Sequence, residues 1–235
     1  MNSPVWGVVI ISANEEWKAL APHFAGLTLQ DCPFGKFLVY SMDDKPLIIL
    51  QGGWGKTAAA ASAQYAIQRW QPKVVINLGT CGGFYGRVER GEIILVEETW
   101  MYDIEERMSD SWEALEAYHV RLNLDWLIPP YPQAVRRAAL LSADRDLDPA
   151  EIPTLRAKFN GIAGDWESAA IAWVAQRNHT PCLILRGVTD LVSSTDGEAY
   201  GRWEVFAQAT QKVMNDLWLH LADWLSCCQL SSIRE

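Results

Sequence analysis

The chain has 235 residues, nearly half of them apolar and about a fifth charged, which suits one large globular domain whose core needs no metal or disulfide to hold it. Its formal net charge of −9 argues against a nucleic-acid surface, because phosphate recognition needs clustered Lys and Arg. The five cysteines (Cys32, Cys81, Cys182, Cys227, Cys228) form no CxxC pair and have no accompanying His cluster, so they read as reduced thiols rather than a metal site.

Along the chain, Met1-Asn2-Ser3-Pro4 carries no basic segment or cleavage signal, and no apolar run reaches the ~18 residues of a membrane span; a cytoplasmic protein is expected. Val5–Ser12 is continuously apolar, as a strand buried on both faces should be. Asn14 is placed to cap a helix that starts near Glu15 and runs toward His23. Lys36–Met42 and Pro46–Leu50 flank a polar turn and predict a hairpin. A glycine-rich turn, Gln51–Thr57, leads into an Ala-rich helix over Ala58–Trp70. Lys73–Leu78 reads as a buried strand broken by Gly79-Thr80-Cys81-Gly82-Gly83, and Glu92–Val96 as another strand. Residues 100–133 lack clear periodicity and predict a long excursion with partial helix.

Ala138–Ala143 and Gly161–Asp165 follow as strands, and Leu155–Phe159, Ser168–Arg177 and the amphipathic Arg202–Leu225 as helices. Cys182–Val188 is the final buried strand, ending at Thr189-Asp190. With no repeat and no linker, this alternation predicts one α/β domain over residues 1–235: a central mixed, largely parallel β-sheet flanked by helices. Twelve tryptophans are unusual; Trp166, Trp173, Trp203, Trp218 and Trp224 lie in helical segments, where core or interface packing explains them. A stacking platform for nucleic acid would interleave basic residues with them, and these are sparse.

Gly53-Trp54-Gly55-Lys56-Thr57 imitates a phosphate-binding loop, but that pattern also needs glycine where this chain has Leu50. A tight turn between strand and helix is the first reading. A second is that the amides at the helix start meet a ligand's polar groups.

Three acidic residues fall at or just beyond the carboxyl ends of buried strands, where α/β folds place functional groups: Glu16, Glu167 and Asp190. Singly, each is more often a helix cap than a catalytic group. Together with the Gly79–Gly83 loop they point to a shared pocket.

These segments carry a resemblance. Ile11-Ser12-Ala13-Asn14-Glu15-Glu16, Gly52–Ala60, Asn77–Gly83, Asp165-Trp166-Glu167-Ser168 and Arg186-Gly187-Val188-Thr189-Asp190 resemble, in order, motifs of the methylthioadenosine/S-adenosylhomocysteine nucleosidases, of the nucleoside phosphorylase fold. The resemblance implies a small-molecule purine nucleoside as substrate, no cofactor and a homodimer. It implies that Glu16 positions the attacking water, Glu167 grips the ribose hydroxyls and Asp190 protonates the purine. Thr80, Cys81 and Gly82 would line the substrate, as would Trp166, which stands where the family usually has Met. Asp146 and Leu147 would line the purine, with Asp146 in place of the family's stacking phenylalanine and Arg145 beside it as a planar alternative or a surface ion pair.

The chemistry fits these residue types. Breaking a purine N-glycosidic bond builds positive charge on the ribose and negative charge on the base, as in other glycoside hydrolyses. The base leaves readily once N7 is protonated, so a desolvated carboxyl with a raised pKa must face it. An acceptor there also suits a 6-amino group, favouring adenine. Phosphorylases of the same fold need arginines around the anion. Where those stand in the resembling phosphorylases, this chain has Asn77 and Asn14-Glu15-Glu16, which favours water as the nucleophile. The alternatives are a phosphate-using purine nucleoside phosphorylase and an inactive nucleoside-binding or sensory module.

Overall fold

The computed structural model describes residues 5–230, so the Met1–Pro4 reading lies outside the described residues. The strands are β1 (Gly7–Ile11), β2 (Gln30–Cys32), β3 (Gly35–Met42), β4 (Lys45–Gln51), β5 (Val74–Phe84), β6 (Ile93–Met101), β7 (Val120–Arg121), β8 (Val135–Ser142), β9 (Ala163–Asp165) and β10 (Cys182–Val192). The helices are α1 (Asn14–Leu20), α2 (Gly55–Trp70), α3 (Ser111–Glu116), α4 (Ile152–Phe159), α5 (Ser168–Arg177), α6 (Trp203–Leu219) and α7 (Leu221–Ser226).

The sheet has two parts. β5, β10, β6, β8 and β9 pair in a closed ring, β9 returning to β5. From β5 a wing of β1, β4, β3 and β2 extends outward, ending in the expected hairpin. The long ladders, β5 with β10 and β6 with β8, are parallel, as an α/β fold requires, while hairpins and short returns supply the antiparallel pairs.

Side chains alternate across β1. Val8 and Ile10 join one apolar layer with α2 and α5, and Val9 and Ile11 join another with α1, α6 and α7. α2 and α5 present small residues to the sheet, Ala59, Ala63 and Ala66 on one and Ala169, Ala172 and Ala175 on the other, all buried, so both helices sit close to it. Trp218 and Trp224 are core residues, whereas Trp203 is 60% exposed.

Several boundaries depart from the sequence expectations. Gly79–Gly83 does not break β5; the strand runs through, because β10 pairs with it on past Asp190 and the glycines let neighbours approach. β10 likewise continues to Val192, so Asp190 lies inside the strand, beyond an irregularity after Val188 that re-aims the chain. The amphipathic C-terminal stretch is two helices meeting at His220. The excursion over 100–133 begins with the end of β6 and otherwise contains only α3 and β7 as regular elements. Among the described residues, no helix is long and apolar enough to cross a membrane.

Candidate active site

On one side, β5 pairs with β1 up to Asn77 and with β9 from Gly82 onward. Residues 78–81 therefore have an open edge, where the sheet changes partners. The Thr80 amide on that edge donates to Glu16 Oε1 at 2.6 Å, and the Thr80 hydroxyl reaches the same oxygen at 3.0 Å. Glu16 Oε2 accepts the Ala13 N–H at 3.1 Å, half of a capping box in which Ala13, not Asn14, is the N-cap. Glu16 is buried, so one carboxylate both caps its helix and ties β5 to the end of β1.

At the centre lies Arg186, fully buried in the middle of β10. Its Nη2 donates to Asn77 Oδ1 at 2.7 Å and lies 2.9 Å from Asp165 Oδ2. Its Nε donates to Ser168 Oγ at 2.8 Å, and Nη1 is 3.4 Å from Glu16 Oε1. Gly79 makes room for it: a Cβ there would stand 1.7 Å from Nη1. Asp165 is further bound by the hydroxyls of Ser142 and Ser168, both at 2.5 Å. Sequence reasoning gave neither Arg186 nor Asp165 a role. The available signal was an arginine inside the apolar run of Cys182–Val188, since a charge there must be compensated.

Glu167 sits at the start of α5, 4% exposed, with Oε2 at 3.9 Å from Arg186 Nη2. Its Oε1 accepts the Gly55 N–H at 3.0 Å. Burial pushes its pKa up to about 8, Asp165 adds repulsion, and Arg186 opposes both.

Asp190 occupies a different environment. It is 6% exposed and accepts a hydrogen bond from Thr189 Oγ1 at 2.7 Å. Burial raises its pKa against that hydrogen bond, and the charges of Glu198 and Asp146 raise it further. Gly82 faces it from β5: a Cβ there would be 4.0 Å from Asp190 Oδ2 and 3.3 Å from Leu147 Cδ1. Leu147 is buried, and the Tyr200 hydroxyl donates to its carbonyl at 2.5 Å. Gly82, Leu147, Asp190 and Tyr200 thus make one wall.

Other candidates fall elsewhere. Cys81 packs with Sγ 3.7 Å from the Gly187 carbonyl, and burial raises its pKa well above the ordinary thiol value, so it is a neutral packed side chain. Asp146 is exposed and reaches Asp190 only through its charge. Arg145 pairs with Glu151 at 2.6 and 3.1 Å and lies over the Tyr102 ring, so neither Asp144 nor Asp146 is its partner. Trp166 packs on Trp54 with ring centroids 5.0 Å apart, and Trp54 is 65% exposed at the rim. The first two amides of α2 are taken by carboxylates: Gly55 donates to Glu167 and Lys56 to Asp144. Dipole and carboxylates satisfy each other there.

The arrangement joins a buried carboxylate cluster built on one arginine to a separate carboxyl that favours its proton. It suits a reaction that builds positive charge at one end of a substrate and needs a proton at the other.

Known proteins resemble this chain in sequence and in fold. A family model described as the phosphorylase superfamily matches residues 7–146. The 5'-methylthioadenosine/S-adenosylhomocysteine nucleosidase of Bacillus pumilus is 24% identical, over 83% of this chain and 90% of its own. A 5'-methylthioadenosine/S-adenosylhomocysteine nucleosidase from S. pneumoniae with a transition-state inhibitor superposes with a TM-score of 0.75 at 15% identity, over 94% of this chain and 99% of that one. The futalosine hydrolase of Helicobacter pylori also superposes with a TM-score of 0.75, at 18% identity, over 93% and 98%. At such identities the structural likeness establishes the fold.

Proposed function

This chain belongs to the phosphorylase superfamily, and from that premise we propose that it is a nucleosidase, hydrolysing the N-glycosidic bond of an adenine nucleoside with a modified 5′ position, such as methylthioadenosine or S-adenosylhomocysteine. The observation that carries the reading is the pair of dissimilar buried carboxyls, Glu16 held on the open edge of β5 and Asp190 raised in pKa beyond it.

In this reading the purine lies against Gly82, Leu147 and Asp190, and Asp190 delivers its proton to N7 as the C1′–N9 bond breaks. The bond's electron pair leaves with the base, and positive charge gathers on the ribose. Glu167 accepts hydrogen bonds from the ribose hydroxyls and fixes the sugar by orientation rather than proton transfer. Water held by Glu16 and Thr80 attacks C1′ and loses a proton to Glu16, leaving free base and ribose with a C1′ hydroxyl. Trp54 and Trp166 at the rim offer apolar surface to the 5′ substituent.

Water is favoured over phosphate because the cations near the site are already paired. Arg186 is bound among Glu16, Asp165 and Asn77, and Lys56 pairs with Asp103. A dianion entering there would meet carboxylates. The reading also includes a homodimer in the cytoplasm, checked by sedimentation and cell fractionation.

The test is base release from methylthioadenosine, S-adenosylhomocysteine, 5′-deoxyadenosine, adenosine and inosine, each with and without phosphate. Adenine release independent of phosphate is expected. Release only with phosphate would make the chain a phosphorylase, and no release from any member would point to a binding module or to a purine nucleoside outside the panel.

A further inference from the structure

The Gly-Lys-Thr turn at residues 55–57 is built around an internal charge cluster. We propose that Lys56 is a positioning residue whose ammonium fastens the segments following β6 and β8 to the first turn of α2, and so holds two walls of the nucleoside site in register.

Lys56 Nζ is ion-paired with Asp103 Oδ1, and both side chains are largely buried, 16% and 18% exposed. The same ammonium lies 3.9 Å from Asp144 Oδ2. The Lys56 amide donates to Asp144 Oδ1 at 2.7 Å, and the Asp144 amide donates to Asp103 Oδ2 at 3.0 Å. Lys56, Asp103 and Asp144 therefore close a ring of contacts across three chain segments. Asp103 follows β6 and Asp144 follows β8.

What the ring holds gives it consequence. Asp144 is three residues before Leu147, whose side chain fills the space beside Gly82 on the Asp190 wall. Gly55, next to Lys56, donates to Glu167. One helical turn thus places Leu147 at the base end and Glu167 at the sugar end. Gly55 is built for this approach: its φ is +84°, and a Cβ there would stand 2.9 Å from Asp144 Oδ1. Without the ammonium, the Asp103 and Asp144 carboxylates lose the cation that pairs with both, and their repulsion drives the 143–147 segment outward. The lysine needs no contact with substrate to act in this way.

The kinetic consequence rests on the nucleosidase reading; the conformational one does not. In the full chain, Lys56→Met keeps most of the side-chain stem and removes the charge. Hydrogen exchange at the amides of residues 143–147 is expected to quicken about tenfold in the free protein, while β10 amides keep their protection. For base release, KM is expected to rise about tenfold with kcat within about threefold, because misplaced walls weaken nucleoside binding more than they alter the acid and the water. Lys56→Arg, which keeps the charge, restores both. Adding Asp103→Asn to Lys56→Met removes that repulsion and recovers part of the protection. Unchanged exchange at 143–147 in Lys56→Met, or failure of Lys56→Arg to restore it, overturns the proposal. So does a fall in kcat as large as the fall in kcat/KM. If Lys56→Met does not fold, Asp103→Asn alone carries the test: faster exchange at 143–147 supports the clamp and unchanged exchange refutes it. If the parent protein releases no base from any nucleoside, the proposed function fails while the exchange measurement still decides the clamp.

Discussion

Two stations on β10, Arg186 in its middle and Asp190 four residues on, bury carboxyl groups to nearly the same depth and surround them differently. Around Arg186, three carboxylates, Glu16, Asp165 and Glu167, share one fully buried guanidinium and a set of hydroxyl and amide donors. At Asp190 the bound donor is a single hydroxyl, Thr189, and the neighbouring Glu198 and Asp146 add repulsion. Burial alone therefore does not decide what a carboxyl does; the compensation around it does. Around Arg186 every carboxyl has partners in place, yet Glu167, 3.9 Å from the guanidinium, still has its pKa raised to about 8 by burial and by Asp165. At Asp190 a single hydroxyl opposes burial, and the pKa is raised there too.

The largest effect expected from breaking this contrast is at Asp190. Asp190→Asn keeps the shape and removes the acid, and kcat for base release should fall by about 10²–10⁴-fold while nucleoside binding, followed by tryptophan fluorescence, persists. Retained turnover would remove Asp190 from the role of general acid. Next is Arg186→Met, which leaves three buried carboxylates without their cation; a loss of about 3–5 kcal/mol in denaturant unfolding is expected. Stability unchanged from the parent would mean that the cluster does not depend on its arginine.

Gly79→Ala tests the same centre more gently. The added methyl collides with the Arg186 guanidinium, and a loss of about 1–3 kcal/mol should follow as the side chain shifts.

A further effect sharpens the comparison through pH. Glu167 binds its proton more tightly in the folded state, its pKa moving from 4.5 up to about 8. That contribution to stability is fully present below pH 4.5 and is lost as pH rises through about 8. Glu167→Gln should flatten this part of the unfolding-versus-pH curve, and an unaltered curve would show that Arg186 holds Glu167 ionised. If Asp190 is the general acid, its raised pKa should give the activity an alkaline limb, with kcat/KM falling as the carboxyl loses its proton.

Much of the layout was legible beforehand for physical reasons. Apolar runs such as Val8–Ile11 and Cys182–Leu185 have to be buried strands, and acids that follow such strands face the same edge of a sheet. Glu16, Glu167 and Asp190 were singled out in that way, and all three are buried. Arg186 was not, because its compensation comes from β5, β9 and the starts of α1 and α5, segments up to 170 residues apart. Asp146 was expected against the purine by its place in the sequence; the chain instead exposes it and turns Leu147 inward, because Leu147 has an apolar seat beside Gly82 and Gly164.

By itself the sequence determined where most of the strands and helices fall, that three acids lie close to the carboxyl ends of buried apolar runs, and that the phosphate-loop pattern is incomplete, because these depend on local periodicity and residue type. Only the tertiary structure decided that β5 runs unbroken through its glycines, that its edge opens between β1 and β9, and that Lys56 and Arg186 are both spent on carboxylates. Those outcomes depend on which distant groups share a desolvated space. A buried charge is settled by the partners that the fold brings within hydrogen-bond reach, and sequence spacing carries no record of that distance.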